Sequence, residues 1–138
     1  MGYSSDVREF TKACWPSADE GQTPPDNPVL MDQNAVNFIR AMVGDEMAEL
    51  GAAKTVVEQA DALVDAMYYI CDAAAKHGMN LDPLFAIVHG ANMQKVVDGA
   101  VTRREDGKIL KPEGWVDPEP LLQAEVRSQC RHGSFGSV

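Results

Sequence analysis

No run of 18 apolar residues occurs anywhere in the 138-residue chain, so no segment is expected to cross a bilayer as a helix. The first residues lack the basic-then-apolar order of a secretory signal, and Asp6 stands where an N-myristoylation sequence carries Ser or Thr. Cations are scarce: 12 Lys and Arg face 21 Asp and Glu, for a net charge of -9. That balance excludes a sequence-independent grip on a nucleic-acid polymer, which is built from cations neutralising phosphates. Cysteine is scarce too. Cys14, Cys71 and Cys130 are odd in number, with no CxxC spacing and no paired histidines, and read as the reduced thiols of a cytoplasmic protein. Neither GxxxxGK[ST] nor GxGxxG is present, and no serine lies in a nucleophile elbow. If the chain is an enzyme, metal-activated water is the nucleophile left to it.

What the chain does have is acid at helical spacing. Gly44 to Tyr69 carries six acids, Asp45, Glu46, Glu49, Glu58, Asp61 and Asp65, against the single cation Lys54. Glu46 and Glu49 are i, i+3 on one predicted helix; Glu58, Asp61 and Asp65 form an i, i+3, i+7 stripe along about 10 Å of the next. The plain alternative is a pair of solvated acidic faces. Against it, Met42, Met47, Leu50, Val57, Ala60, Leu63, Val64, Met67 and Ile70 are interleaved with these acids, so the carboxylates border apolar surface. Like charges there repel unless cations compensate, and two facing stripes of carboxylate oxygen suit Mg²⁺ or Mn²⁺.

Read in order, Asp6 to Cys14 predicts a short amphipathic helix with Val7, Phe10 and Cys14 inward and Ser5 or Asp6 as cap. Trp15-Pro16 ends it, and Ser17 to Pro28, with three prolines and Gly21, predicts a mobile loop. A second helix is expected from about Asp32 to Leu50, capped by Asp32 or Asn34 and stopped by Gly51, with Gly44 inside it as a close-approach point or a weak one. Thr55 or Lys54 starts a long third helix reaching His77, with Val56, Ala60, Leu63, Met67, Ile70, Cys71 and Ala74 as its core stripe. Asp82 as cap and Pro83 at the first position open a fourth, carrying Leu84, Ile87, Val88, Ala91 and Val96 and ending near Gly99.

Four helices with short turns imply an all-α, antiparallel four-helix bundle over residues 6–100, within a single domain of 1–138. Residues 101–138 read as an irregular extension: a hairpin turn at Asp106-Gly107, one or two helical turns at Leu121 to Val126, and a frayed tail from Arg131.

The cations gather in one place. From Lys95 to Lys111 there are five, Lys95, Arg103, Arg104, Lys108 and Lys111, against Asp98, Glu105 and Asp106. A solvated loop is one explanation; a segment that folds over the acids and contacts phosphates is the other. His89, Asn92 and Lys95 follow at i, i+3 steps, with Asn92 and Lys95 as phosphate contacts and His89 as a hydrogen-bonding residue more readily than a ligand. Trp15 and Trp115 either stack on a base or plug the core.

Asp45-Glu46-x-x-Glu49 followed by Asp61-Ala-Leu-Val-Asp65-Ala-Met-Tyr-Tyr resembles the signature of the MazG-like all-α nucleoside triphosphate pyrophosphohydrolases. DVREF, VHGANMQKV and DGKILKPEGW are similar to the phosphoribosyl-ATP pyrophosphohydrolase-like branch, so the resemblance spans roughly residues 6–120. It implies a MazG-like bundle that forms a homodimer or homotetramer, binds two or three Mg²⁺ or Mn²⁺ per site, and converts a (deoxy)nucleoside triphosphate to monophosphate and pyrophosphate by water attack at the α-phosphorus. It carries metal-ligand duty to Glu46, Glu49 and Asp65, and phosphate contact to Asn92 and Lys95. Two positions depart from the pattern: Asp45 replaces a glutamate, and Ala62 stands where many members have an acid, a duty reassigned to Asp61 or Glu58. Any of Asp45, Glu46 or Glu49 could take the water's proton. Short acidic relatives with this tail occur in phages, where a MazZ-like type hydrolyses (d)GTP; that implies a purine substrate and the host cytoplasm. The competing class is a non-catalytic nucleotide- or metal-binding helical module.

Overall fold

Caps and apolar spacing resolve the chain into α1 (Tyr3–Cys14), α2 (Gln33–Ala52), α3 (Val56–Lys76), α4 (Leu81–Met93) and α5 (Glu119–His132), and the described residues form no strand longer than an isolated bridge. The fold is all-α. This computed structural model describes residues 2–14 and 23–136; the expectations for Trp15, Pro16 and residues 17–22 lie outside them. Asp32 caps α2 by accepting from the Ala35 amide at 2.8 Å. Thr55 caps α3 by accepting from the Glu58 amide, and the Glu58 carboxylate reaches back to the Lys54 amide at 2.7 Å. Thr55-x-x-Glu58 is thus a capping box, shifted by one residue on its return bond.

α3 is the central element, with α2 and α1 packed on it, while α4 packs on α1 and α5. Its buried face is small: Ala62, Ala66, Cys71, Ala74 and Ala75. Small side chains let helices approach closely, so α1 and α2 seat on that alanine face. The expected stripe of Val56, Leu63, Met67 and Ile70 is corrected accordingly, because all four are exposed, Val56 by 80%.

α1 is rotated from expectation for a related reason. Its buried face is Ser4, Val7, Arg8 and Thr11, leaving Phe10 and Cys14 exposed. Arg8 can be buried because every arm of its fork is occupied: it donates to the carbonyls of Pro25 and Ala75 at 2.8 and 3.1 Å and to Asp26 at 3.1 Å, and stacks 4.7 Å from the Phe135 ring centroid. That clasp corrects the frayed-tail expectation. α5 runs through Arg131 and His132, and beyond it buried Ser134 donates to the Gly78 carbonyl and receives the Asn80 side-chain amide.

Other helix ends move as well. α2 continues through Gly51, and a Cβ at Gly44 would meet open space, so no helix approaches closely there. Gly78, at φ +70°, follows α3, and a Cβ there would overlap the Asn27 carbonyl. α4 ends at Met93, short of Gly99, which leaves Val96 and Lys95 in the turn beyond it. The hairpin signal at Asp106-Gly107 produces a bridge between Arg103 and Ile109.

α4 is capped by Asn80, which accepts from the Asp82 amide, and Pro83 is its third residue. Asp82, expected as that cap, instead serves α1. Its carboxylate accepts from the Ser4 and Ser5 amides at 3.0 and 3.2 Å and from the Ser5 hydroxyl at 2.6 Å, joining two helices. A Cβ on Gly2 would lie 2.5 Å from that carboxylate, so only glycine fits. Burial alone would raise the Asp82 carboxyl, but the Ser5 hydroxyl and the Ser4 and Ser5 amides outweigh it and hold it below the ordinary aspartate value. A depressed carboxyl stabilises the fold above its unfolded-state value and loses that contribution as pH falls through the folded-state value. Asp82→Ala is expected to cost about 1–2 kcal/mol at neutral pH, measured by urea unfolding, with the deficit shrinking in acid. A deficit that stayed constant down to acid pH would contradict this role.

Candidate active site

Acids of α2 and α3 line two clefts. The larger, about 670 Å³, runs along α3 between α1 and α2; Glu46 and Asp65 line it, as do Phe10, Thr11, Cys14, Tyr68, Tyr69, Asp72 and Lys76. The smaller, about 230 Å³, is lined by Glu49, Glu58 and Asp61 with Ala52 and Ala53.

Glu46 is the outlier in this group. It is 8% exposed, and its Oε2 is the one buried side-chain polar atom among the described residues that lacks a hydrogen-bond partner. Burial pushes its carboxyl above the ordinary value, a hydrogen bond shared with Glu49 pushes the same way, and the charges of Glu49, Asp65 and Asp61 add to both. A buried carboxylate without a partner is costly unless a proton or a cation meets it. Glu49 and Asp61 are exposed and Asp65 is half-buried. Among the described residues no three acids, histidines or cysteines converge closely enough to hold a metal ion unaided. Carboxylate oxygens are nonetheless the hard donors that Mg²⁺ or Mn²⁺ accepts.

The remaining expected residues fall in three places. Asp45 is exposed and lines neither cleft. Glu58 lines the smaller cleft but spends one oxygen on the α3 cap. Ala62 is fully buried in the α3 seam, so the absent acid of the expected pattern has no substitute at that position. Asn92, Lys95, Arg103, Arg104, Lys108 and Lys111 line neither cleft. Instead Lys95 donates to Asn92 Oδ1 at 3.0 Å and sits with Lys111 over the Trp115 ring, at 5.3 and 4.8 Å from its centroid. Trp115 itself donates to the Ala91 carbonyl at 2.7 Å, so it holds the extension on α4. Arg104 pairs with Asp106, and Arg103 donates to the Gly107 carbonyl. His89 is exposed and stacks on Phe85.

Residues the sequence reading missed are the cleft's aromatic and hydrogen-bonding walls. Phe10 and Tyr68 meet edge to face at 5.7 Å, and Asp72 Oδ1 accepts from Thr11 at 2.7 Å. The signal was Asp72, seven residues after Asp65 on the same helix face; its partners on α1 could not be read without the α1–α3 packing.

A family model for phosphoribosyl-ATP pyrophosphohydrolase matches residues 7–92, more than half of the chain. The chain belongs to the phosphoribosyl-ATP pyrophosphohydrolase family. Membership places it among nucleotide pyrophosphohydrolases, and both clefts fall within the matched span of this family. The basic segment from Lys95 and all of α5 lie beyond it. None of the curated proteins compared with the chain matches it. No helix is long and apolar enough to cross a membrane among the described residues.

Glu46→Gln separates the two ways of satisfying the buried oxygen. Without metal it is expected to raise Tm by a few degrees at neutral pH, because a carboxyl held above its ordinary value destabilises the fold as pH rises through that range. The variant is also expected to lose most of the Mn²⁺-dependent rise in Tm of the wild type. Equal metal-induced shifts in both proteins would remove Glu46 from the site.

Proposed function

We propose that the protein hydrolyses a (deoxy)nucleoside triphosphate, with a purine and best (d)GTP as substrate, to the monophosphate and pyrophosphate. The observation that carries this reading is the unpartnered buried oxygen of Glu46, which lines the larger cleft under the charges of Glu49, Asp65 and Asp61, in a family of nucleotide pyrophosphohydrolases. Glu46, Glu49, Asp61 and Asp65 would hold Mg²⁺ or Mn²⁺, two or three ions per site, with Glu58 at the margin. Bound divalent ions supply Lewis-acid polarisation of the phosphates and acidify water. Water attacks the α-phosphorus, the bond to the bridging oxygen of the β-phosphate breaks, and pyrophosphate leaves. Glu46 or Glu49 accepts the proton of the water; Asp45, outside both clefts, is a poorer base.

The working unit is a homodimer or homotetramer. One chain leaves Val56, Val57, Leu63, Val64, Met67 and Ile70 exposed on α3, a surface of the kind that marks an interface. It also leaves Asn92, Lys95, Arg103, Arg104, Lys108 and Lys111 off its own clefts. A second copy packed on α2 and α3 would cover the first and bring the second to the triphosphate, where the cations offset charge on the leaving group.

Incubation with each dNTP and Mn²⁺ is expected to release pyrophosphate and monophosphate, fastest with dGTP; orthophosphate, or unaltered nucleotide, would contradict the proposal. Glu49→Gln keeps the shape and removes one negative charge, and is expected to lower the rate at least about 100-fold with unchanged circular dichroism. Wild-type rates would take Glu49 out of the site.

A further inference from the structure

The larger cleft is acidic at both ends. Glu46 and Asp65 lie at one, and Asp72 lies seven residues further along the same face of α3, about 10 Å away at the helical rise. That span matches the reach from the α-phosphorus of a nucleotide to the far edge of its base. The Asp72 end disfavours phosphate, because Lys76, the cation that lines the cleft there, is already paired with Asp72 at 2.9 Å and lies 5.4 Å from the Phe38 ring centroid, leaving no net positive charge for an anion. A neutral group rich in N–H donors suits it.

Asp72 is held from two sides. Its Oδ1 accepts from the Thr11 hydroxyl at 2.7 Å and its Oδ2 takes the Lys76 ammonium, while its side chain stays 20% exposed, so each oxygen keeps a further lone pair. Carboxylates only accept, and two fixed oxygens side by side select two adjacent donors. Among the common bases guanine alone presents such a pair, N1–H and the 2-amino group. Adenine and cytosine place one amino donor beside a ring acceptor, and thymine or uracil flanks a single N–H with carbonyls. Tyr68, set edge to face with Phe10, supplies an aromatic wall between the two ends.

We infer that Asp72, oriented by Thr11 and Lys76, reads the guanine edge of the substrate and sets its base preference. The inference rests on the pyrophosphohydrolase reading but concerns a different end of the cleft. Its test is kcat/KM with Mn²⁺ for dGTP, dITP and dATP. The wild type is expected to prefer dGTP to dITP, which lacks only the 2-amino group, by about tenfold. Asp72→Asn, whose amide offers one donor and one acceptor, is expected to lose about tenfold to a hundredfold on dGTP and to gain on dATP relative to dGTP. Equal use of dGTP and dITP by the wild type, or an unchanged base ranking in a folded Asp72→Asn, would overturn the assignment while leaving the hydrolase intact. If no triphosphate is turned over, the reading of the reaction fails, and calorimetric binding of dGMP, dIMP and dAMP decides the base site alone. Selectivity for dGMP supports it; equal or undetectable binding overturns it.

Discussion

One carboxylate oxygen without a partner organises this molecule. Glu46 Oε2 is buried where α2 meets α3, and Glu49, Asp65 and Asp61 stand around it. A fold that sought only stability would place an apolar side chain or an amide there, since an uncompensated buried charge works against folding. Its retention beside the larger cleft, which Glu46 lines, is what the proposed cation site rests on.

The rest of the fold delivers that oxygen to its place. Alanines along α3 let α1 and α2 pack close enough for their side chains to share a cleft. α1 is fixed at two points by polar devices, its N-terminus by the Asp82 carboxylate and its middle by Arg8 through two carbonyls and Asp26. Because α1 contributes Phe10 and Thr11 to the larger cleft, these distant hydrogen bonds help to set the shape of that cleft as well as the stability of the fold. The exposed valines, leucine and methionine of α3 are the surface on which the proposed second copy would pack, and in that proposal the acids and the cations come from different copies.

Much of this was legible in the residues themselves. Helix positions followed from caps such as Asp32 and Thr55 and from the 3.6-residue period, and the acid spacing identified the region that became the two clefts. Four things were not legible. Rotation of α1 depended on Arg8 finding carbonyls from Pro25 and Ala75, which are distant in sequence. The alanine face of α3 won over its larger apolar residues because close packing favours small side chains, whereas periodicity counts every apolar residue alike. Glu58 sat on the right stripe, yet Thr55-x-x-Glu58 also spelled a capping box, and that local hydrogen bond took one of its oxygens. The C-terminal segment, polar in composition, was held by Ser134 and Phe135 through contacts that composition does not report.

The central claim is that the acids around Glu46 require divalent counterions. Titration of Mn²⁺ into metal-free protein by calorimetry, repeated in two buffers of different ionisation enthalpy, tests it directly. Saturable binding of two or three ions per site, with a buffer-dependent heat from the proton displaced off the Glu46 cluster, is the expected result. Absence of saturable binding, in protein that remains folded, would contradict it.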